Sequence, residues 1–159
     1  IDADGVNALA GSKDMLKKAK APVVMTPHPG EMARLLGIST DDVQRDRIGM
    51  ASDAAAKFGV TLVLKGAGTV IAAPHGEVFI NTTGNPGMAS GGTGDVLTGM
   101  IGSLLAQGYG PTPAACLAVY LHGLAGDLAA AEKGEAGMIA RDVIEKIPEA
   151  IKQTMETTD

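Results

Sequence analysis

The chain has 159 residues, 45% of them apolar and 19% charged, a balance that supports a folded core of one-domain size and excludes a disordered chain. A net charge of -5 with no stripe of Lys or Arg argues against nucleic acid and against an anionic membrane as partners, and no apolar run is read as long enough to span a bilayer. The single cysteine, Cys116, has no internal partner and the N-terminus lacks a secretory pattern, so a reducing cytoplasm is expected.

Along the chain, "IDADGVNAL" reads as an apolar residue followed by a polar turn, without the strand that would lead into it. Met15 to Ala19 predict a short helix, and the β-branched run "APVVMTP" predicts a buried parallel strand ended by Pro27. "PGEMARLLG" predicts a helix stopped by Gly37. Ser39 or Thr40 then caps one helix whose Val43, Ile48, Ala51, Ala55 and Phe58 share an inward face up to Gly59. "TLVLKG", "TVIAA" and "EVFIN" are three strand candidates, the last two joined by a "PHG" hairpin turn. Residues 95 to 107 form a helix that packs through Val96, Leu97, Met100, Ile101, Leu104 and Leu105 and ends at Gly108. Thr112 as cap and Pro113 as first helical residue open a long helix with Leu117, Leu121, Leu124 and Leu128 inward, before Gly134. "ARDVIEKIPEAIKQTM" supplies the last helix, with Pro148 as a kink position. These elements predict one α/β domain over 1–159, with helices layered on both faces of a mostly parallel sheet that carries one antiparallel hairpin.

The chemistry gathers at strand and helix ends. In "NPGMASGGTGDVLTGMIGSLLAQG" a glycine cluster runs into a helix, whose first N–H groups have no intrahelical partners and carry partial positive charge. Gly91, Gly92, Thr93 and Gly94 therefore form a candidate phosphate hole, with Asp95 one turn into the helix and able to reach a neighbouring hydroxyl. A tight turn with Asp95 as a helix cap is the alternative, and the pattern is neither the P-loop nor the dinucleotide fingerprint. "LKGAGT" places Lys65, Gly66, Ala67, Gly68 and Thr69 at the end of a core strand, where ligands of open α/β sheets bind; a β-turn with a solvated lysine reads equally well. "TPHPGE" ends another strand with His28 and Glu31, which are alternatively a structural histidine and a first-turn charge. Three polar strand ends in one domain point to one cleft.

"TPHPGE", "LKGAGTVI" and "NPGMASGGTGDVLTGMI", in this order and spacing, resemble the ADP/ATP-dependent NAD(P)H-hydrate dehydratases, which have the ribokinase-like fold. The similarity runs from "DADGVNAL" through "AVYLHGLAGDLAA" to the last helix. It implies a metabolite-repair enzyme that uses ADP or ATP and magnesium to return hydrated NADH or NADPH to the normal cofactor, by phosphorylating the ring hydroxyl and eliminating phosphate. In that picture Asp95 is the base toward the substrate hydroxyl, and the Gly91 to Gly94 backbone holds the phosphoryl group. Lys65 to Thr69 and Gly94 line the adenine nucleotide site. His28 and Asn85 contact the hydrated nicotinamide nucleotide, and Glu31 holds magnesium through water. A vitamin-precursor kinase of the same fold and a non-catalytic nucleotide-binding module are the competing readings; related vitamin kinases tend to carry Asn where this chain has His28. The resemblance further implies an N-terminal segment with early strands ahead of Ile1, so this chain reads as the C-terminal portion of its domain. A sheet edge exposed in that way predicts self-association and a homo-oligomer.

Overall fold

The computed structural model describes residues 1–156, which form two compact units, residues 1–81 with 109–116 and residues 82–108 with the chain from 117 onward. The first contains α1 (Ala3–Leu9), a 3-10 turn at Lys13–Lys18, β1 (Val24–Met25), α2 (Pro29–Leu36), α3 (Thr40–Arg45), α4 (Arg47–Phe58), β2 (Thr61–Leu64), β3 (Val70–Ala72) and β4 (Val78–Ile80). The second contains α5 (Thr93–Ala106), most of α6 (Pro111–Lys133) and α7 (Ala140–Glu156), which continues through Pro148.

In the first unit the strands lie in the order β1-β2-β3-β4. β1 runs parallel to β2, but β2–β3 and β3–β4 are both antiparallel, with Leu62 opposite Ala72 and Ile71 opposite Phe79. The expected mostly parallel sheet is thus mixed among the described residues, with an antiparallel meander in place of a single hairpin. The reason lies in connection length: residues 65–69 form a loop far too short for a parallel crossover, which needs a dozen residues or more. On the edge of β1 away from β2, the Ile1 amino group donates to the Val24 carbonyl (2.7 Å) and Thr26 N–H donates to the Ile1 carbonyl (3.1 Å), the bond pattern of a parallel bridge.

β2 is buried along its whole length, and Leu62 and Leu64 pack with Met25, Met32, Leu35, Val43 and Phe58 in one apolar core. Two helices replace the single one expected between Ser39 and Gly59. Asp46 (φ -144°, ψ 72°) interrupts the helical path, and its Oδ1 accepts from Gly49 N–H (2.9 Å) as the cap of α4. Ser39 caps α3 in a reciprocal box with Asp42. The break also rotates the pattern, so Ile48, expected inward, is exposed. At the start of the chain the expected polar turn is instead α1.

In the second unit Leu97 and Ile101 of α5 are buried, while Val96, Met100, Leu104 and Leu105 are half-buried. Along α6 the leucine stripe is only partly realised, because Leu121 is buried whereas Leu117, Leu124 and Leu128 are half-buried. Small residues take the interior instead: Ala125 and Ala129 are buried beside Val143 and Ala150 of α7. α6 also starts at Pro111, earlier than Thr112 as a cap would allow. Its 23 residues, with a mean hydropathy of 1.4 in the most apolar window, are long and apolar enough to cross a membrane, contrary to the sequence reading. Half of that window is buried inside the protein, as in a core helix. Lys133 at the end of α6 pairs with Asp142 in the first turn of α7.

Candidate active site

β1 and β2 are parallel neighbours, so their C-terminal ends lie side by side, and the loops that leave them meet. Lys65 N–H donates to the carbonyl of Pro27 (2.9 Å), which ties "LKGAGT" to "TPHPGE". His28 is the N-cap of α2: its Nδ1 accepts from the N–H groups of Gly30 (3.0 Å) and Glu31 (3.4 Å). Glu31 completes the box, with Oε2 accepting from His28 N–H (2.8 Å). Because Nδ1 is an acceptor, the neutral ring carries its proton on Nε2, which lies 3.3 Å from Glu31 Oε1. The imidazole is fixed in orientation and remains about half exposed.

Glu31 is buried, and the Lys65 ammonium stands 3.9 Å from it. The same ammonium donates to Asp2 Oδ1 at 2.7 Å. Asp2 occupies the N-cap position of α1 without capping it, and its carboxylate reaches Lys65 instead. The structure thus brings together His28, Glu31 and Lys65, three residues expected from sequence, and adds Asp2. The Asp2 signal was present in the sequence as an acid at the head of "DADGVNAL", where any acid is ordinarily read as a cap.

The loop after Lys65 has its own support. Gly66 (φ 142°) and Gly68 (φ 60°) adopt backbone conformations that favour glycine, and Thr69 Oγ1 donates to the Gly66 carbonyl (2.9 Å). Arg47, the first residue of α4, lies against this loop and donates from Nη2 to the carbonyls of Leu64 (3.1 Å), Lys65 (3.4 Å) and Gly68 (3.4 Å). A Cβ at Gly66 would stand 2.6 Å from the Arg47 guanidinium. With the loop's carbonyls turned to Arg47, its opposite side can present N–H groups to a ligand. Sequence reading missed Arg47 because one continuous helix was expected there; only the cap at Asp46 makes it a helix-terminal residue.

In the second unit the chain from Thr82 to Gly92 folds onto α6. Asn85 has both ends of its amide engaged: Oδ1 accepts from Gly87 N–H (3.1 Å) and Nδ2 donates to Asp127 Oδ1 (3.0 Å). An amide has further capacity beyond these two bonds, which leaves room for a ligand. Gly92 (φ 92°) is the N-cap of α5, in the one conformation of this cluster that demands glycine. Thr93 is buried, and its hydroxyl lies 2.7 Å from the Met88 carbonyl and 2.8 Å from that of Ser90, so it closes the loop from inside. Its side chain therefore does not face an anion. Asp95 is exposed in the first turn, and the capping role is held by the Gly92 backbone, with no side-chain cap bond. Gly91 is exposed with open space around it, and Gly94 is half-buried. Behind the cluster, His122 of α6 is buried and hydrogen-bonded to the Thr93 backbone, and burial lowers its pKa from 6.5 to about 4.

Residues 1–149 match the family model described as NAD(P)H-hydrate dehydratase. The chain is 49% identical over 159 residues to the bifunctional NAD(P)H-hydrate repair enzyme Nnr of Moorella thermoacetica, covering all of this chain and 30% of that protein. A crystal structure of an ADP/ATP-dependent NAD(P)H-hydrate dehydratase from Bacillus subtilis, co-crystallised with ATP/Mg2+, superposes with a TM-score of 0.80 at 41% identity, over 83% of this chain and 48% of that one. A ribokinase-like superfamily protein from Enterococcus faecalis superposes with a TM-score of 0.77 at 35% identity, over 96% of this chain and 51% of that one. The chain therefore spans from 30% to 51% of the length of these relatives.

Proposed function

The chain belongs to the NAD(P)H-hydrate dehydratase family, and from that premise we propose that the whole protein returns hydrated NADH or NADPH to the normal dinucleotide at the expense of ADP or ATP. This chain supplies the C-terminal portion of a ribokinase-like domain, and the N-terminal portion supplies the remaining strands. The observation that carries the reading is the start of α5. There a glycine in the left-handed region, not an acid, caps the helix, and Asp95 stands exposed in the first turn with no capping duty.

Hydroxide is a poor leaving group, so dehydration is eased by making it a phosphate. Asp95 accepts the proton of the ring hydroxyl as that oxygen forms its bond to the terminal phosphorus and the bond to the bridging oxygen of the nucleotide breaks. The N–H groups of the Gly91 to Gly94 segment and the dipole of α5 stabilise the charge on the transferring oxygens. The nitrogen lone pair of the ring then expels phosphate, and a proton leaves the adjacent carbon. Phosphoryl transfer asks for positioning and charge stabilisation more than for covalent help, which suits a site built of backbone and one acid. The Lys65 to Thr69 loop, shaped by Arg47, receives the adenine nucleotide. His28, its ring held by Glu31 through Nε2 and half exposed, lies against the hydrated nicotinamide nucleotide, and Asn85 shapes the approach to the glycine cluster.

Magnesium would not be caged by protein side chains here. Among the described residues no group of three His, Cys, Asp or Glu side chains could hold a metal ion. The carboxylates of Asp2 and Glu31 already share Lys65, and both oxygens of Glu31 face His28. Glu31 holds His28, and an ion entering with the nucleotide would keep phosphate and water ligands, with Glu31 reaching it through one of those waters. Self-association and a cytoplasmic setting belong to the same reading, supported respectively by the edge strand β4 with Phe79 and Ile80 exposed and by the lone thiol of Cys116.

The test is recovery of nicotinamide absorbance from NADH or NADPH hydrate by the full-length protein. Recovery that requires ADP or ATP and magnesium is expected. Equal recovery without nucleotide, or phosphorylation of a vitamin alcohol without hydrate repair, would overturn the reading.

A further inference from the structure

Along α6, Gly123, Gly126 and Asp127 stand at spacings of three and four residues and so share one face. The segment Thr82–Met88 lies on that face through contacts of two kinds. Asp127 spends both carboxylate oxygens on it, Oδ2 accepting from Gly84 N–H (2.9 Å) and Oδ1 from Asn85 Nδ2 (3.0 Å). Thr83 Oγ1 donates to the Tyr120 carbonyl (3.0 Å). The glycines allow the approach: a Cβ at Gly123 would stand 2.1 Å from Thr83 Oγ1 and 2.8 Å from the Thr83 carbonyl carbon, and one at Gly126 would stand 2.2 Å from Met88 Sδ. The segment continues into α5 through the Thr93 hydroxyl on the Met88 carbonyl.

We infer that Asp127 is a positioning residue, which holds the 84–88 loop on α6 and through it sets the place of the Gly91 to Gly94 backbone and of Asp95 at the start of α5. The inference rests on the proposed function for what that backbone does, but the positioning itself is a property of the chain. A loop containing Gly84 at φ 99°, Gly87, Gly91 and Gly92 has little conformational preference of its own. A carboxylate that accepts from a backbone N–H and a side-chain amide at once restrains it with charge-assisted bonds, which are the stronger class. Placement matters in phosphoryl transfer because a displacement of about 1 Å at the reacting groups costs on the order of a hundredfold in rate. Asp127 acts by holding Gly84 and Asn85, and the acid that meets the substrate is Asp95.

The experiment compares the full-length wild type with Asp127→Asn, which places a donor against the Asn85 amide, and with Gly123→Ala, which pushes Thr83 off α6 and touches neither partner of the carboxylate. For both variants kcat for hydrate repair is expected to fall about tenfold to a hundredfold while the affinity for ADP, measured by titration, stays within about twofold. Amide exchange, read on the same proteins, is expected to quicken at Gly84, Gly87 and Val96, whose N–H groups bond to Asp127 Oδ2, Asn85 Oδ1 and the Gly92 carbonyl. Variants that turn over like the wild type, or whose exchange at Val96 is unchanged, would overturn the inference. Loss of ADP affinity and of the folded state in both variants would overturn it too, since the face would then serve stability alone. A wild type that does not repair the hydrate, with exchange at Val96 still quickened in the variants, removes the proposed function and leaves the positioning standing.

Discussion

Lowering the pH from neutrality to 4 is expected to cost this protein stability through one residue, His122. Its ring is buried, Nε2 has no hydrogen-bond partner among the described residues, and the bond to the Thr93 backbone favours the protonated form without offsetting burial. The folded-state pKa is about 4 against an ordinary 6.5. Between those values the unfolded chain binds a proton that the folded chain refuses. Stability is therefore complete above pH 6.5, falls as the pH drops through the window, and changes no further on this account below pH 4. At about 1.36 kcal/mol per pH unit the loss reaches about 3 kcal/mol, a large share of the ordinary stability of a domain. The assay is denaturant unfolding of the full-length protein at a series of pH values, wild type beside His122→Asn, which keeps an N–H donor near Nδ1 but does not titrate. The wild type should lose its advantage over the variant as the pH falls, and the imidazole resonance of His122 should titrate near pH 4. Parallel losses in the two proteins between pH 6.5 and 4, or an imidazole midpoint above 6, would refute the reasoning.

Three further outcomes are expected. Asp95→Asn should lower repair turnover by about a hundredfold to ten-thousandfold and stability by less than about 1 kcal/mol, because the cap of α5 is the Gly92 backbone; steady-state rates and a thermal melt decide between an acting acid and a structural one. Arg47→Met removes the donor shared by the Leu64, Lys65 and Gly68 carbonyls and should weaken ADP binding by about tenfold, with the KM for hydrate unchanged in steady-state kinetics. Lys65→Met takes from Asp2 and Glu31 their shared cation and should destabilise the fold by on the order of 3 kcal/mol in urea titration; a loss below about 0.5 kcal/mol would show the pair to be inconsequential.

Local pattern was enough for much of this protein. The alternation and β-branching of "TLVLKG", "TVIAA" and "EVFIN" located β2, β3 and β4, and the glycines at 37 and 59 ended α2 and α4 in the left-handed conformation. The glycine-rich run before Asp95 marked the start of α5 because only glycine takes the φ of Gly92 without strain. "TPHPGE" was legible as a strand end running into a helix, while the capping box between His28 and Glu31 emerged only in the structure.

What pattern could not decide depends on partners distant in the chain. Asp2 leaves its helix because Lys65 lies 2.7 Å away across 63 residues, and no local rule foresees that choice. Arg47 supports the 65–69 loop only because Asp46 stops one helix and starts another, a contest between helical periodicity and a side-chain cap that sequence periodicity resolved the wrong way. The sequence showed α6 as a long helix with leucines inward, but not that Gly123 and Gly126 let the 82–88 segment approach and Asp127 bind it. Sequence alone located the helix starts, tight loops and buried strands, because these are written in neighbouring residues. Only tertiary structure decided which groups position them, because a buried charge or a close backbone contact is satisfied by whichever residue the fold brings near.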